Sequence, residues 1–459
     1  MKRSILVFSA MLSAAMLFAP LAQGASNGPG LTRTRLDNGL TVIVMPSQRL
    51  PLVDLRLVAR AGAVQDPAGK GGVAQLTALL LTQGAGKRSA QQLAEAIEFV
   101  GGSLEANAGQ EQFTVSAEVL RKDFGLGLEL FRDCIVTPNF SAEEFARKRE
   151  ETLGAIASDK SEPSVIAEEK MASFLWGESP LARPARGTEA SVTAIQRDDV
   201  AAFHKRFVAP DRAILVIVGD VDAKMAIAAA TRAFASWKPS GEPLTDPYGP
   251  APTVKGRQVR IIDKPEATQA QIRMACPGVA RSSPDYYALE VANTILGAGF
   301  TSRLVNSIRV EKGLTYSISS RFGMLRGAGS FRINTFTRNE KLRPCVDAVL
   351  AEVQKLVDEG PTTAELDKSR NYLTGQYPLG LQAPDDLAGE IANMDFFGLE
   401  PQFIQTYNAR VRAVTMTDVK RVLKQYFCVR DLKILVVTNG ELARKSLAGV
   451  GAIEVKPID

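Results

Sequence analysis

The amino-acid sequence predicts an α+β protein of two tandem homologous domains. Three observations carry this prediction. One order of strands and helices occurs twice, both copies close on an Asp-led helix and an apolar strand, and a proline-rich segment separates them. A chain of 459 residues, 45% hydrophobic and 23% charged, is long enough for two or more cores. The same composition excludes disordered and collagen-like chains.

The first copy opens at residues 36–44, where Asn38-Gly39 joins a short strand to a longer one in a hairpin. A strand near 53–62, helices at 72–83 and 90–100, strands at 103–106 and 113–119, and helices at 121–135 and 141–160 follow. The second copy places strands at 258–262 and 269–275, helices at 284–297 and 301–310, strands at 315–322 and 328–335, and helices at 341–358 and 363–378. In each, a break (Thr137-Pro138-Asn139, Glu359-Gly360-Pro361) precedes the last of these helices, with Ser141 or Thr363 as its N-cap. Helices at Arg197–Phe207 and 417–427 then lead into strands at 213–218 and 432–437. Between the copies, residues 237–253 hold five prolines and no apolar periodicity, which reads as an extended, stiff linker. The expected organisation is a leader at 1–25, domains at 30–236 and 257–447, and a linker at 237–256. Two similar domains tethered in this way can close on each other around a cavity.

Residues 1–25 read as a secretory signal peptide: Lys2-Arg3, a nearly unbroken apolar run from Ile5 to Leu21, then small residues for cleavage. A retained anchor is the competing reading, since the run is borderline for a bilayer span of ~20 residues. Export from a Gram-negative cell would make the mature chain periplasmic, without stable membrane insertion. The formal net charge of +5 includes Lys2 and Arg3, and the leader holds no acid, so the mature chain carries +3. This mild excess is spread along the sequence and points to neither nucleic acid nor membrane as partner. Cys134, Cys276, Cys345 and Cys428 show no C-x-x-C spacing. In an exported chain they can pair, but three of the four sit in apolar stretches that favour buried thiols.

Within the helix predicted after Gly71-Gly72, residues Gln75, Ala78 and Leu79 share one face at i, i+3 and i+4. In inverted zinc peptidases that face carries H-x-x-E-H, two metal-binding imidazoles and a water-activating glutamate. Here the three groups are amide, methyl and isobutyl. Around them stand the hairpin Leu-Asp-Asn-Gly-Leu-Thr-Val-Ile-Val, Gly101-Gly102-Ser103-Leu104, a strand ending Val218-Gly219-Asp220-Val221, Leu296-Gly297-Ala298-Gly299-Phe300-Thr301-Ser302-Arg303-Leu304, and Arg309-x-x-x-Gly313-Leu314-x-Tyr316. In this order, over residues 30–445, the chain resembles the pitrilysin-type zinc peptidases, in the short two-domain form of the mitochondrial processing peptidase subunits.

The resemblance implies a clamshell of two domains, each a mixed, mostly antiparallel sheet with helices packed on one face. It places the family's zinc ligands at Gln75, Leu79 and Ala155 and its water-activating glutamate at Ala78, so every functional group of the metal site is replaced, and Leu79 and Ala155 are expected to be repacked as core. His204 is the sole histidine, so no His₂Glu site can be assembled; it reads as structural or surface. Gly84-Ala85-Gly86-Lys87 lacks the spacing of a phosphate loop, and Gly297-Ala298-Gly299 reads as tight packing. The family's matching Arg and Tyr face the zinc and bind a substrate carbonyl and the developing oxyanion, which implies those roles for Arg309 and Tyr316. From spacing alone, Arg309 complements a helix C-terminus and Tyr316 is a half-buried strand residue. The function these readings imply is a non-catalytic, substrate-binding subunit. It binds no cofactor itself; zinc is expected in a homologous partner with an intact H-x-x-E-H motif, and the substrate is a peptide. The alternative is a structural or chaperone-like peptide-binding protein of the same fold.

Overall fold

The structure is a computed structural model that describes residues 30–458 apart from Asp246; the expected leader at 1–25 lies outside the described residues. Strands β1 (Thr32–Arg35), β2 (Thr41–Pro46), β3 (Leu52–Ala59), β4 (Ser103–Ala108), β5 (Phe113–Leu120) and β6 (Ala213–Gly219) form one six-stranded sheet, ordered β1-β2-β6-β3-β5-β4. Strands β7 (Gln258–Asp263), β8 (Gln269–Pro277), β9 (Ile318–Met324), β10 (Gly329–Arg338), β11 (Lys433–Thr438) and β12 (Ala452–Lys456) form the second, ordered β12-β7-β11-β8-β10-β9. The duplication is plain in these orders, because β2, β6, β3, β5 and β4 correspond in place to β7, β11, β8, β10 and β9. Both sheets are mixed: β2 pairs with β6 in parallel, as β7 does with β11, while the pairs from β3 to β4 and from β8 to β9 are antiparallel. The outer strand differs. It is the antiparallel N-terminal β1 in the first sheet and the parallel β12, beyond residue 447, in the second.

Strand chemistry explains the layers. In β3, Val53, Leu55 and Leu57 alternate with Asp54 and Arg56, so one face is apolar. That face packs on helices of its own repeat, among them Val73–Leu81 and Phe124–Val136. All residues of β6 are buried, which fits an apolar run without alternation and requires cover on both faces. The cover on the other face comes from the opposite repeat: Ala388, Ile391 and Ala392 of helix Pro384–Phe396 cluster with Ile214, Val216 and Val218 of β6. Reciprocally, Ile166, Met171 and Leu175 of helix Pro163–Trp176 cover Ala275, Leu435 and Val437 in β8 and β11. Each sheet thus carries its own helices on one face and a helix from the other half on the second.

Several expectations need adjusting. The cap of helix Thr363–Leu379 is Thr362 rather than Thr363, because only Thr362 stands three residues before Glu365. Its Oγ1 accepts from Glu365 N at 3.2 Å, and the Glu365 carboxylate accepts from Thr362 N at 2.7 Å. The helices expected at 284–297 and 301–310 end in wide i→i+5 turns, Thr294–Ala298 and Val305–Glu311. Gly297 confirms the packing reading: a Cβ there would stand 2.4 Å from Ser320 Oγ. His204 is structural, with Nε2 2.8 Å from Ile135 O and its ring edge-on to Phe140. The proline-rich segment runs between the sheets but is tacked down, with Ser240 N donating to Asp211 and Tyr248 O accepting from Ser179 Oγ at 3.1 Å.

The cysteines divide. Cys276, at the end of β8, is bonded to Cys428, across a separation of 152 residues, so the expectation of buried thiols holds only for Cys134 and Cys345. Burial pushes both free thiols up to about 12, which leaves them unreactive. Replacing Cys276 and Cys428 together by Ala is expected to cost roughly 2–5 kcal/mol of unfolding free energy. An unchanged urea midpoint, or alkylation of both residues in the native oxidised protein, would contradict the bridge.

Candidate functional site

The vacated face lies on helix Val73–Leu81, and its approach is tightly built. Gly72 adopts φ +97°, and a Cβ there would stand 2.4 Å from Arg186 O, so a side chain is excluded twice over. The helix has no side-chain N-cap of its own. Asp66 substitutes from the preceding loop, accepting from Gly72 N at 2.6 Å and Ala74 N at 3.0 Å. Burial pushes the Asp66 carboxyl up to about 7 against these bonds.

Gln75, which the resemblance sets at the first metal ligand, is committed elsewhere: its Oε1 accepts from Ala108 N at 3.0 Å, tying the helix to the last residue of edge strand β4. Ala78 is fully buried. Leu79 and Ala155 are half-buried, which corrects the expectation that both were repacked as core. The cause is the charged character of helix Ala142–Asp159, which buries only Phe145 and Thr152 and leaves Ala155 on its flank. An amide already bonded, an isobutyl group and two methyls offer zinc no imidazole or carboxylate. The donor set does not fit the metal, and among the described residues no cluster of three or more His, Cys, Asp or Glu side chains does.

Gln75 and Ala108 line a cavity of about 770 Å³ between the two halves. Its other walls are helix Pro163–Trp176, the segment 183–186, and the strands β9 and β10. Edge strands β4 and β9 both border it. Arg309 and Tyr316 do not. They share a separate pocket of about 490 Å³ with Gln269, Gly313, Leu314 and Phe336.

Tyr316 is not a strand residue, contrary to the expected strand at 315–322, since β9 starts at Ile318. Hydroxyls replace the ladder just before it. Thr315 Oγ1 accepts from Ser317 N at 3.1 Å, Thr335 Oγ1 donates to Ser317 O at 2.9 Å, and Thr337 Oγ1 to Leu314 O at 2.6 Å. Thr315 is buried by these bonds and Tyr316 turns outward, 83% exposed. Arg309 stacks over the Phe300 ring at 5.5 Å. Among the described residues neither Arg309 nor Tyr316 makes a side-chain hydrogen bond or ion pair.

A recess of about 440 Å³ beside β4 escaped the sequence reading. It is lined by Asp54, Arg56, Glu105, Glu118 and Asp385, so acids outnumber the single cation. Pairing sets Asp54 beside Glu118 and Arg56 beside Ser116, and Asp385 of the exchanged helix reaches Arg56. Asp54 is 1% exposed, and its Oδ1 has no donor among the described residues. Desolvation raises its carboxyl to about 7; Arg56 opposes this, and Asp385 and Glu118 add to it. The period-two alternation of Asp54 and Arg56 with apolar neighbours was the available signal.

Two repeats of this topology, with an inverted-zincin helix stripped of its donors, define a catalytically vacated two-domain peptidase fold. Residues 42–189 match the family model described as insulinase (peptidase family M16), and residues 194–373 the model described as peptidase M16 inactive domain. The chain belongs to the M16 peptidase family. A crystal structure described as a peptidase M16 inactive domain from Pseudomonas fluorescens superposes with a TM-score of 0.84 at 27% identity, covering 89% of this chain and 97% of that one. An uncharacterized zinc protease of Streptomyces coelicolor is 26% identical over 85% of this chain and 86% of its own length. A Helicobacter pylori protein named non-peptidase homolog YmxG is 24% identical over 87% and 91%.

The buried Asp54 carboxyl has a signed consequence. Its folded pKa of about 7 lies above the ordinary aspartate value of 3.8, so between these values the native state binds the extra proton. Stability therefore falls as pH rises through this window. Asp54→Asn is expected to gain on wild type progressively from pH ~4 to ~8, by at most about 4 kcal/mol. Urea titrations across that range check it, and a difference independent of pH would contradict it.

Proposed function

We propose that this chain is the non-catalytic, substrate-binding subunit of a heterodimeric zinc metallopeptidase, lending Arg309 and Tyr316 to the H-x-x-E-H site of a homologous partner. The observation that carries the reading is the contrast between two places in one chain. Where the family keeps zinc, every donor is gone. Where it keeps the Arg and Tyr, both side chains are present: Tyr316 is exposed, Arg309 is half-buried against Phe300, and neither makes a side-chain hydrogen bond or ion pair among the described residues. Phe300 and Val310 beside Arg309 are 77% and 68% exposed, apolar surface that a partner subunit would cover. In the complex, the Tyr316 phenol would donate to the oxyanion that develops at the scissile carbonyl, and the Arg309 fork would hold a peptide carbonyl. The name of the Helicobacter pylori relative, a non-peptidase homolog, is in keeping with the loss of the donors here.

The mature chain is proposed to act in the periplasm, and the Cys276–Cys428 bridge supports an oxidising compartment. Protein recovered from the periplasmic fraction should begin near residue 26; recovery from the cytoplasm with Met1 intact would rule this out.

In the assembled complex, Tyr316→Phe should lower kcat roughly 10²–10³-fold, or ~2.7–4 kcal/mol, the usual worth of one oxyanion donor. Arg309→Ala should mainly raise KM, because a fork of donors to the peptide is lost. Both variants should co-purify with the partner. Wild-type cleavage by both would remove the lending role and leave the structural or chaperone-like binding protein as the better reading.

A further inference from the structure

Helix Pro163–Trp176 crosses the second sheet above a row of arginines. Arg321 of β9 stands directly opposite Arg332 of β10, and Arg273 of β8, opposite Asn334, lies on the same face. Like charges opposite one another in a sheet repel. Glu168 reaches all three: Oε1 lies 2.7 Å from Arg321 Nη2 and 3.7 Å from Arg332 Nη1, and Oε2 lies 3.4 Å from Arg273 Nε. One carboxylate against three guanidinium groups leaves two positive charges in excess.

The rest of this wall does not supply the missing anions. Of the two other acids in its lining, Asp159 is engaged by Arg186 and Glu169 interacts with Asp159, Lys170 and Arg186 rather than with the arginine row, while Arg183 donates to Asp66 O at 2.8 Å. Arg273 is buried and spends its Nη groups on main-chain oxygens of Ile272, Thr335 and Ser164 and on Gln271. Arg332 is less committed. Its Nε donates to Ser330 Oγ at 3.1 Å, and its Nη groups have no hydrogen-bond acceptor among the described residues. Burial, reinforced by Arg321 and Arg273, holds its pKa below the ordinary arginine value, so a further anion here would be favoured electrostatically.

Arg321, Arg332, Ser330 and Glu168 all line the 770 Å³ cavity. Two guanidinium groups facing each other across adjacent strands suit a carboxylate, which accepts from both in charge-assisted bonds. The cavity's other borders say where that carboxylate comes from. Among the described residues, edge strands β4 and β9 each have one side without a strand partner, so an extended peptide can pair with either while its side chains or its end reach the arginines.

We propose that the Arg321–Arg332 end of the cavity is a carboxylate-binding subsite, holding the C-terminus or an acidic side chain of a bound peptide, with Glu168 keeping the arginines together until it arrives. This rests on the reading that the chain binds peptide and adds the chemical class it selects.

The test uses the full mature chain and a fluorescein-labelled decapeptide of Ser, Thr and Val in three forms: free C-terminus, amidated, and amidated with one central Glu. Fluorescence anisotropy should give tighter binding for at least one carboxylate form than for the plain amide, by roughly ten- to hundredfold, the worth of a hydrogen bond to a charged group. The arm that gains identifies the C-terminus or the side chain. Arg321→Gln, at an exposed position that the fold tolerates, and Arg332→Lys, which keeps charge but loses the fork, should both reduce that preference. Glu168→Gln should strengthen binding of the carboxylate form and leave the amide unchanged, a result that a merely structural salt bridge would not produce. Equal affinity for all three forms would overturn the subsite while the peptide-binding reading stands. Binding of none of them would remove both.

Discussion

The fold depends on one packing constraint: each sheet has a second apolar face that its own repeat does not cover. Strand β6 is buried from end to end, and Ile214, Val216 and Val218 would meet water if helix Pro384–Phe396 were absent. Leu435 and Val437 in β11 depend in the same way on helix Pro163–Trp176. Burying a large aliphatic side chain is worth about 1.5–3 kcal/mol, so three or four such residues per sheet join the halves more firmly than a linker does. The exchange also fixes where the cavity lies. Helix Pro163–Trp176 belongs to the first repeat by sequence and to the second by packing, and it forms the wall between β4 and the β9–β10 pair.

Helix Val73–Leu81 carries no metal donors and is anchored by other means. Asp66 satisfies two of the N–H groups that open helix Val73–Leu81, and Gln75 holds the same helix to β4 through one main-chain bond. Gly72 allows the loop to pass against Arg186. These are local interactions of neutral or singly charged groups, and they keep the helix in register without an ion. The cavity beside this helix is therefore kept open without a metal ion.

How much of this was legible follows from the range of each interaction. The Asn38-Gly39 hairpin, the helix Arg197–Phe207 and the apolar strand near 213–218 are set by neighbours in sequence, and they stand where the sequence placed them. The side chains at Gln75, Ala78, Leu79 and Ala155 were read directly from the sequence, but not their burial, since Leu79 and Ala155 are half-buried rather than core. The exchanged helices were not legible. Helix Pro163–Trp176 has little amphipathic contrast, since it is wedged between a sheet and a cavity wall, and no periodicity reveals which sheet it covers. The row of Arg273, Arg321 and Arg332 is invisible for a related reason: the residues lie on three strands, and only the pairing register sets them side by side. Tyr316 failed through local chemistry, because Thr315, Thr335 and Thr337 hydroxyls satisfied main-chain groups that a strand would otherwise have paired.

That last departure has a mechanical sense under the proposed lending role. A group that serves another subunit must be exposed, yet an exposed side chain on a mobile loop would lose entropy each time it was used. Here the backbone on either side of Tyr316 is held from within, by the buried Thr315 and by the bonds of Thr335 to Ser317 O, while the phenol itself stays outside. Arg309 rises from a wide-turn helix whose Val305 and Ile308 are buried, and Phe300 supports its guanidinium from the side. Both side chains are thus presented from anchored main chain, on a surface distinct from the cavity between the halves. Under the proposed role, a chain arranged in this way would hold a peptide inside and present Arg309 and Tyr316 outside at the same time, because the two tasks draw on different residues.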